Sequence, residues 1–318
     1  MRCVGVLLAA LMASAAPARA DWPERPVTLV VPFAPGGITD ILARMTAEHL
    51  QAAFKQSVVI ENVTGAAGLI ATQRVARAQP DGYTLYFATL SQIVISPLTQ
   101  KMDVDPVKAF RPVAIVATSP FIITVRESFP ARTLGDFIAE VKSKPDRYNF
   151  ASAGVGTLTH LSSAMVLRNA GIEMVHVPYR GVAPALAALL GGQADMLAAS
   201  PVETGPYADS GKLKFLAVTG PQRAKGFAAV PTIMETLPHA APVVTWNGVL
   251  APAATPKDIV DTLSREIIKA ETSAEFQAKL DKIGVDPNVN TPDEFAAQIA
   301  RDVRVWHDSI AALGLQPQ

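Results

Sequence analysis

Residues Val27 to Leu50 read VTLVVPFAPGGITDILARMTAEHL, and the order of residue types in this stretch indicates an α/β protein. Five apolar residues, Val27 to Val31, predict a strand that is buried on both faces of a parallel sheet. Proline and glycine end the strand, and apolar residues recur at helical spacing from Ile38 onward. The stretch therefore predicts a strand, a glycine loop and a helix, the repeating unit of parallel α/β sheets.

The glycine loop has the composition of an anion-binding site. Gly36 and Gly37 allow backbone N–H groups to face a ligand above the helix N-terminus, where the helix dipole favours negative charge. An ordinary turn without a ligand is the alternative interpretation. Asp40 lies in the first helical turn, and it either contacts a ligand or stabilises the helix, paired with Arg44 one turn later.

The first twenty residues are typical of a secretory signal peptide. Arg2 precedes an apolar run over residues 4–12, and small residues precede a cleavage site at Asp21. The run is too short to cross a bilayer, so we expect a protein that is exported to the periplasm. Cys3 is the only cysteine. Since it lies within this segment, the mature chain has no thiol, which suits an oxidising compartment.

Charge and length limit the function classes. Removing Arg2 and Arg19 from 28 basic side chains leaves 26, against 28 acidic ones, in the mature chain. This balance gives no basic field for nucleic acid, so we expect no nucleic-acid partner. The 318 residues, less those of the signal peptide, are long for one core and suit two lobes.

Two apolar runs mark where the chain is expected to cross between lobes. Strand and helix patterns alternate over residues 57–89, as in a parallel βαβ sheet. Residues 110–125 then form an apolar run too long for one ordinary strand, and residues 243–251 form a matching later run. These crossings predict a first lobe from residues 21–121 and 247–318, and a second lobe from residues 122–246.

A second strand, glycine loop and helix lies between the two crossings, over residues 148–165. Its loop lacks the third glycine of a dinucleotide fingerprint and the lysine of a phosphate-binding loop. It offers backbone N–H groups and the hydroxyls of Ser152 and Thr157, which suit a carboxylate, although each residue alone is more typical of helix capping. Ser91, after the third strand, is either a turn residue or a further ligand contact.

Catalytic and metal sites have little support in the sequence. The five histidines show no spacing typical of metal ligands, and no G-x-S-x-G motif occurs. We expect a binding protein with no metal and no cofactor. A hydrolase or isomerase that uses Asp40 and His160 is the weaker alternative. His160 lies one helical turn beyond Thr157 and either borders the cleft or packs in the core.

Several sequence blocks together resemble a known family. They occur in the order VVPFAPGGITDILAR, ENVTGAAG, DGYTLYFAT, NFASAGVGTLTHL, HVPYRG and WNGVLAPAATPKDIV. This series resembles the Bug family of extracytoplasmic solute receptors, the binding components of tripartite tricarboxylate transporters. The resemblance implies a two-lobe type II periplasmic-binding-protein fold. In that fold each lobe is a mostly parallel sheet flanked by helices, and two hinge crossings join the lobes.

The resemblance also implies which residues contact the ligand. Family members hold a carboxylate through loop amides, hydroxyls and ordered waters, and neither loop of this chain contains arginine or lysine. The candidate ligand contacts are Phe33, Ala34, Gly36, Gly37, Thr39, Asp40, Ser91, Ser152, Ala153, Gly156, Thr157, His160 and Ser200.

The resemblance implies partners as well. The expected ligand is a small organic carboxylate, such as a di- or tricarboxylate, an acidic amino acid or an aromatic acid. The expected macromolecular partners are the membrane subunits of a tripartite tricarboxylate transporter, and the receptor itself is expected to be a monomer. A periplasmic sensor that presents its ligand to a receptor kinase is an alternative with the same cleft.

Overall fold

The computed structural model describes residues 22–224 and 226–312. The predicted signal peptide, with Cys3 and the cleavage site at Asp21, lies outside the described residues. Of the helices in the described part of the chain, none combines the length and apolarity that a membrane crossing requires.

Strands form where β-branched and aromatic residues cluster, and the first strand is fully buried at Leu29, Val30 and Val31, as predicted. The strands are β1 (Val27–Val31), β2 (Val58–Asn62), β3 (Thr84–Thr89), β4 (Phe110–Pro120), β5 (Ile122–Arg126), β6 (Asn149–Ser152), β7 (Val175–Pro178), β8 (Met196–Ala199), β9 (Leu213–Val218), β10 (Val244–Pro252) and β11 (Asp286–Pro287).

Several helices begin at a capping side chain or at proline. Thr133 and Thr157 each cap a helix with a side-chain oxygen, and Pro201 stands at the first position of another. The helices are α1 (Ile38–Phe54), α2 (Leu69–Ala76), α3 (Ser96–Thr99), α4 (Pro106–Ala109), α5 (Leu134–Ser143), α6 (Leu158–Ala170), α7 (Val182–Leu190), α8 (Pro201–Asp209), α9 (Ile233–Thr236), α10 (Lys257–Glu271), α11 (Ala274–Lys282) and α12 (Pro292–Ala312). A π-helical turn, Ser91–Ile95, precedes α3, whereas α1, α2 and α7 follow a glycine.

The strands form two mixed sheets, one in each lobe. The first has the order β11-β4-β10-β3-β1-β2, and the second has the order β7-β6-β8-β5-β9. In the first sheet β1 pairs in parallel with β2 and β3, and in the second β6 pairs in parallel with β7 and β8. The predicted parallel units therefore form only one part of each sheet, and the expectation of a mostly parallel sheet in each lobe is wrong. The antiparallel pairings involve β4, β5 and β10, which flank the crossings.

The chain passes from the first sheet to the second at Phe121, between β4 and β5. It returns between β9 and β10, and β10 belongs to the first sheet from Val244 onward. Thr219 joins the two crossings. Its hydroxyl accepts a hydrogen bond from the Phe121 N–H at 2.9 Å and donates one to the Val243 carbonyl at 2.7 Å.

Helices cover the faces of both sheets. In the first lobe α1, α10 and α12 pack on the strands, and in the second lobe α6 and α7 do so. Each of β1 and β6 lies between two parallel neighbours, and the loops at their carboxyl ends lead into α1 and α6. This arrangement brings the two glycine loops to the cleft between the lobes.

Candidate functional site

The two glycine loops shape the N-termini of α1 and α6. In the first loop Gly36 has φ of +91°, and Gly37 occupies the N-cap position of α1. In the second loop Gly154 and Gly156 have φ of +137° and +74°, conformations that favour glycine. Thr157 closes this loop by donating a hydrogen bond to the Gly154 carbonyl at 2.7 Å.

Both loops line one cavity between the lobes, with a volume of about 40 Å³. Typical ligand pockets measure roughly 300 to 1,000 Å³, so the cavity in this arrangement of the lobes is smaller than such a pocket. The candidate contacts that line it are Phe33, Ala34, Gly37, Thr39, Ser91, Ala153 and Thr157.

Each helix N-terminus at the cavity is hydrogen-bonded by a side chain of the opposite lobe. The Ile38 N–H, at the start of α1, donates to Glu203 Oε1 at 2.7 Å. The Leu158 N–H, at the start of α6, donates to Ser91 Oγ at 2.9 Å. These contacts join the two lobes in this structure, and each helix N-terminus directs a backbone donor toward a side chain of the other lobe.

Glu203 is the titratable residue of this cavity, and the sequence analysis did not find it. Its second oxygen, Oε2, accepts a hydrogen bond from the Ser200 N–H at 3.0 Å, so the side chain also caps its own helix, α8. Burial raises the pKa of Glu203 to about 7, although both backbone N–H groups favour the ionised form. The spacing Ser200-x-x-Glu203 is a capping-box signal, but it does not reveal the position at the cleft.

Asn247 is a second cavity residue that was not predicted. It lies on β10, opposite Thr89 of β3 and Ala117 of β4, and it is fully buried. Neither its amide nitrogen nor its amide oxygen has a hydrogen-bond partner among the described residues. Thr245, two residues earlier on the same face of the strand, also lines the cavity. In VVTWNGVLA, Thr245 and Asn247 are separated by one residue, and this spacing is the sequence feature that places both side chains on one face of a strand.

Asp40 does not line the cavity. Its carboxylate accepts hydrogen bonds from the Gly36 N–H at 3.0 Å, from Asn62 at 2.9 Å and from Arg44 at 2.9 Å. Burial opposes its ionisation, but these donors outweigh burial and hold the pKa of Asp40 below its ordinary value. The Asp40 side chain therefore stabilises the first loop and pairs with Arg44. This is the alternative in which Asp40 does not contact a ligand.

Ser152 and His160 lie behind the second loop. Ser152 Oγ shares a hydrogen bond of 2.6 Å with His176 Nε2, and the ring of His160 stacks on that of His176 at 4.0 Å between centroids. His160 Nδ1 accepts a bond from the Gly156 N–H at 3.2 Å. Burial lowers the pKa of both histidines to about 4, so both rings are neutral and shape the loop.

The remaining candidates also lie outside the cavity lining. Gly36 and Gly156 provide backbone turns of the two loops. Ser200 shares a hydrogen bond of 3.1 Å with Ser119 near the first crossing, and its backbone N–H contacts Glu203. Within the described residues, no group of three or more histidine, cysteine, aspartate or glutamate side chains has the geometry of a metal site.

The chain was compared with known families and structures. The profile of the family described as TctC, tripartite tricarboxylate transporter family receptor, matches residues 42–315. The structure of Rpa4515 from R. palustris with adipate has a TM-score of 0.91 and 32% identity, covering 94% of this chain and 100% of that one.

Two further solved structures are similar to this chain over most of its length. The periplasmic binding protein BugD has a TM-score of 0.89 and 34% identity over 93% of this chain and 100% of its own. MatC from Rhodopseudomonas palustris with bound malate has a TM-score of 0.86 and 33% identity over 90% and 99%. These matches confirm the predicted two-lobe α/β fold and the resemblance to Bug receptors. The chain belongs to the TctC family of tripartite tricarboxylate transporter receptors.

Proposed function

We propose that this protein is a periplasmic receptor that binds a small carboxylate between its lobes and delivers it to the membrane subunits of a tripartite tricarboxylate transporter. The observation that carries the proposal is the pair of helix N-termini, at Ile38 and Leu158, that point donors into one interlobe cavity. Relatives with the same fold contain adipate and malate. The two helix N-termini at the cavity and the membership of a receptor family support this function.

Neutral donors suffice to bind such a ligand. Backbone N–H groups at a helix terminus favour a carboxylate, and hydroxyls of Thr39, Ser91 and Thr157 stand beside them. A hydrogen bond contributes about 0.5 to 1.5 kcal/mol net, and more to a charged acceptor. Several bonds to one carboxylate therefore reach the roughly 8 kcal/mol of micromolar binding.

Lobe closure is the proposed signal to the transporter. A carboxylate that contacts both loops binds the closed arrangement better than an open one, and so shifts the population toward closure. We place the moving units at the predicted lobes, residues 21–121 with 247–318 and residues 122–246, except that Val244 to Trp246 move with the first lobe because they pair with β4. The membrane subunits then recognise the closed surface and release the ligand by separating the lobes.

A thermal-shift screen of the purified mature chain tests the proposal. The panel contains mono-, di- and tricarboxylates, acidic amino acids and aromatic acids at fixed pH. At ligand one hundred times the dissociation constant we expect about 2.7 kcal/mol of added stability, which raises the Tm by roughly a few degrees. An unchanged Tm with every acid, together with no small molecule detected by mass spectrometry of the denatured protein, would contradict it.

A further inference from the structure

We propose that Glu203 sets the specificity of the cleft, which takes a monocarboxylate whose far end donates a hydrogen bond and disfavours a second carboxylate at that end. The inference rests on the proposed function, because it names the ligand class of the same site. It concerns the two ends of the cavity, one at each helix N-terminus.

The end at α1 already holds a protein carboxylate. Glu203 reaches across from α8 of the second lobe, and its oxygens accept bonds from the Ile38 N–H at 2.7 Å and the Ser200 N–H at 3.0 Å. A Cβ atom added at Gly37 would lie 3.2 Å from Glu203 Oε1, so the side chain fills the space above the loop. The negative charge that the α1 terminus favours is thus supplied by the protein itself.

At the α6 end of the cavity, the helix N-terminus is hydrogen-bonded to a neutral side chain. The Leu158 N–H donates to Ser91 Oγ at 2.9 Å, and a hydroxyl gives way to a ligand carboxylate without repulsion between like charges. Ala153 and Thr157 line the cavity at this same end. The asymmetry between Glu203 and Ser91 therefore orients the ligand, with its carboxylate at α6.

The far end of the ligand then faces Glu203 and Asn247. The contacts described here use one acceptor position on each Glu203 oxygen, and a carboxylate oxygen has two. Asn247 is fully buried and has no hydrogen-bond partner among the described residues. A hydroxyl, amide or ammonium group satisfies both side chains by donating to them. Among the cavity-lining residues that the structure describes, none is a cation that would offset a second carboxylate beside Glu203.

Matched ligand pairs test this inference by calorimetry. Each pair has the same chain or ring and differs only at the far end: 4-hydroxybutyrate and succinate, 6-hydroxyhexanoate and adipate, 4-hydroxybenzoate and terephthalate, with 4-aminobutyrate as the ammonium analogue of the first. Titrations of the mature protein run at about pH 8.5, where a carboxyl group with a pKa of about 7 is ionised. We expect every pair that binds to favour the hydroxy or amino acid by about tenfold or more.

Two variants distinguish the effect of the negative charge of Glu203 on binding from an effect on folding. Glu203→Gln keeps the size of the side chain, and we expect it to reduce the preference by about tenfold, mainly through tighter binding of the dicarboxylates. Glu235→Gln is the matched control, because Glu235 occupies the same capping-box position in α9 and lies outside the cavity. That variant keeps the wild-type preference. Circular dichroism verifies that both variants fold.

The outcomes distinguish this inference from the proposed function. If wild-type protein binds dicarboxylates as tightly as their hydroxy partners, the inference is wrong and the receptor function stands. The same holds if Glu203→Gln folds and leaves the preference unchanged. If Glu203→Gln does not fold, the wild-type preference alone decides. If the protein binds no member of any pair and no other carboxylate, the proposed function fails and the inference with it.

Discussion

Asp40 stabilises the first glycine loop through the Gly36 N–H, Asn62 and Arg44. Asp40→Ala leaves these donors without their acceptor, so we expect the free energy of unfolding to fall by about 2 kcal/mol. Because the folded-state pKa of Asp40 is lowered, its contribution is present above pH 4 and is lost as the pH falls through the folded-state value.

Urea unfolding at neutral pH and at about pH 3 measures both effects of Asp40→Ala. Asp136→Ala is the matched control, because Asp136 occupies the same position in the first turn of α5 but is exposed to solvent. Equal losses for the two variants would contradict the special role of Asp40.

Glu271 gives a pH dependence of the opposite sign. Burial raises its pKa to about 9, and neither carboxylate oxygen has a hydrogen-bond partner among the described residues. The unfolded chain releases this proton at a lower pH than the folded one, so stability falls as the pH rises from about 4.5 toward 9. Glu271→Gln removes that slope, and we expect it to be more stable than wild type by roughly 5 kcal/mol at pH 8.

The check on Glu271 is a series of Tm values at pH 4 to 9 for both proteins. The curves converge near pH 4, where the carboxyl group is protonated in both states. Glu203 is present in both proteins and contributes equally to each curve, so the difference isolates Glu271. Parallel curves over the whole range would show that the carboxyl group of Glu271 is ionised in the folded protein.

The residues of the cleft differ in how far the sequence predicts them. Gly37 and Thr157 are found because glycine and a capping hydroxyl act within a few residues of themselves. Glu203 and Asn247 are missed because their roles depend on a contact across the cleft and on a pairing in the sheet. Asp40 is assigned to the ligand too readily, since its sequence position does not show that Asn62 and Gly36 satisfy its carboxylate.

Elements are predicted best where the pattern is long and local. The range of β1, Val27–Val31, agrees with the sequence analysis to the residue, and α1 begins at Ile38, where the helical spacing of apolar residues begins. The run over residues 110–125 is two strands, because Phe121 ends one sheet and leads into the other. The helix α8 was not predicted, since Gly205 and Pro206 lower its helix propensity, and it is held by a capping box and by packing on β9.

The hydroxyl of Thr219 is expected to stabilise the two crossing segments, because it bonds both of them. Thr219→Val keeps the shape of the side chain but leaves the Phe121 N–H and the Val243 carbonyl each without one buried partner. We expect a loss of about 1 to 3 kcal/mol in the free energy of unfolding. Thr46→Val is the control, because Thr46 is equally buried and its hydroxyl bonds only the Leu42 carbonyl within α1. Similar losses in both variants would mean that the hydroxyl of Thr219 has no special role.

In this structure the backbone of Gly37 lies close to Glu203 of the other lobe. A valine at position 37 would have an ordinary φ, but its Cβ would lie 3.2 Å from Glu203 Oε1. We expect Gly37→Val to fold normally and to hold the lobes apart, with ligand affinity reduced by about tenfold or more.

Small-angle scattering and calorimetry together measure the effect of Gly37→Val. The variant's radius of gyration stays at the open value when ligand is added, whereas that of the wild type decreases. Gly135→Val, in the exposed first turn of α5, is the control for adding a valine and retains wild-type affinity. Wild-type affinity in a folded Gly37→Val protein would refute the assignment of the α1 loop to the site.

The two hydrogen bonds of the Thr219 hydroxyl have a consequence for how the lobes move relative to each other. Since one side chain bonds both the outgoing and the returning segment, we expect rotation at one crossing to be coupled to rotation at the other. Coupled rotation at two crossings would favour a single axis for the relative motion of the lobes. In that case we expect the cleft to open along one path and on one side, so that a ligand meets both loops in the same orientation each time.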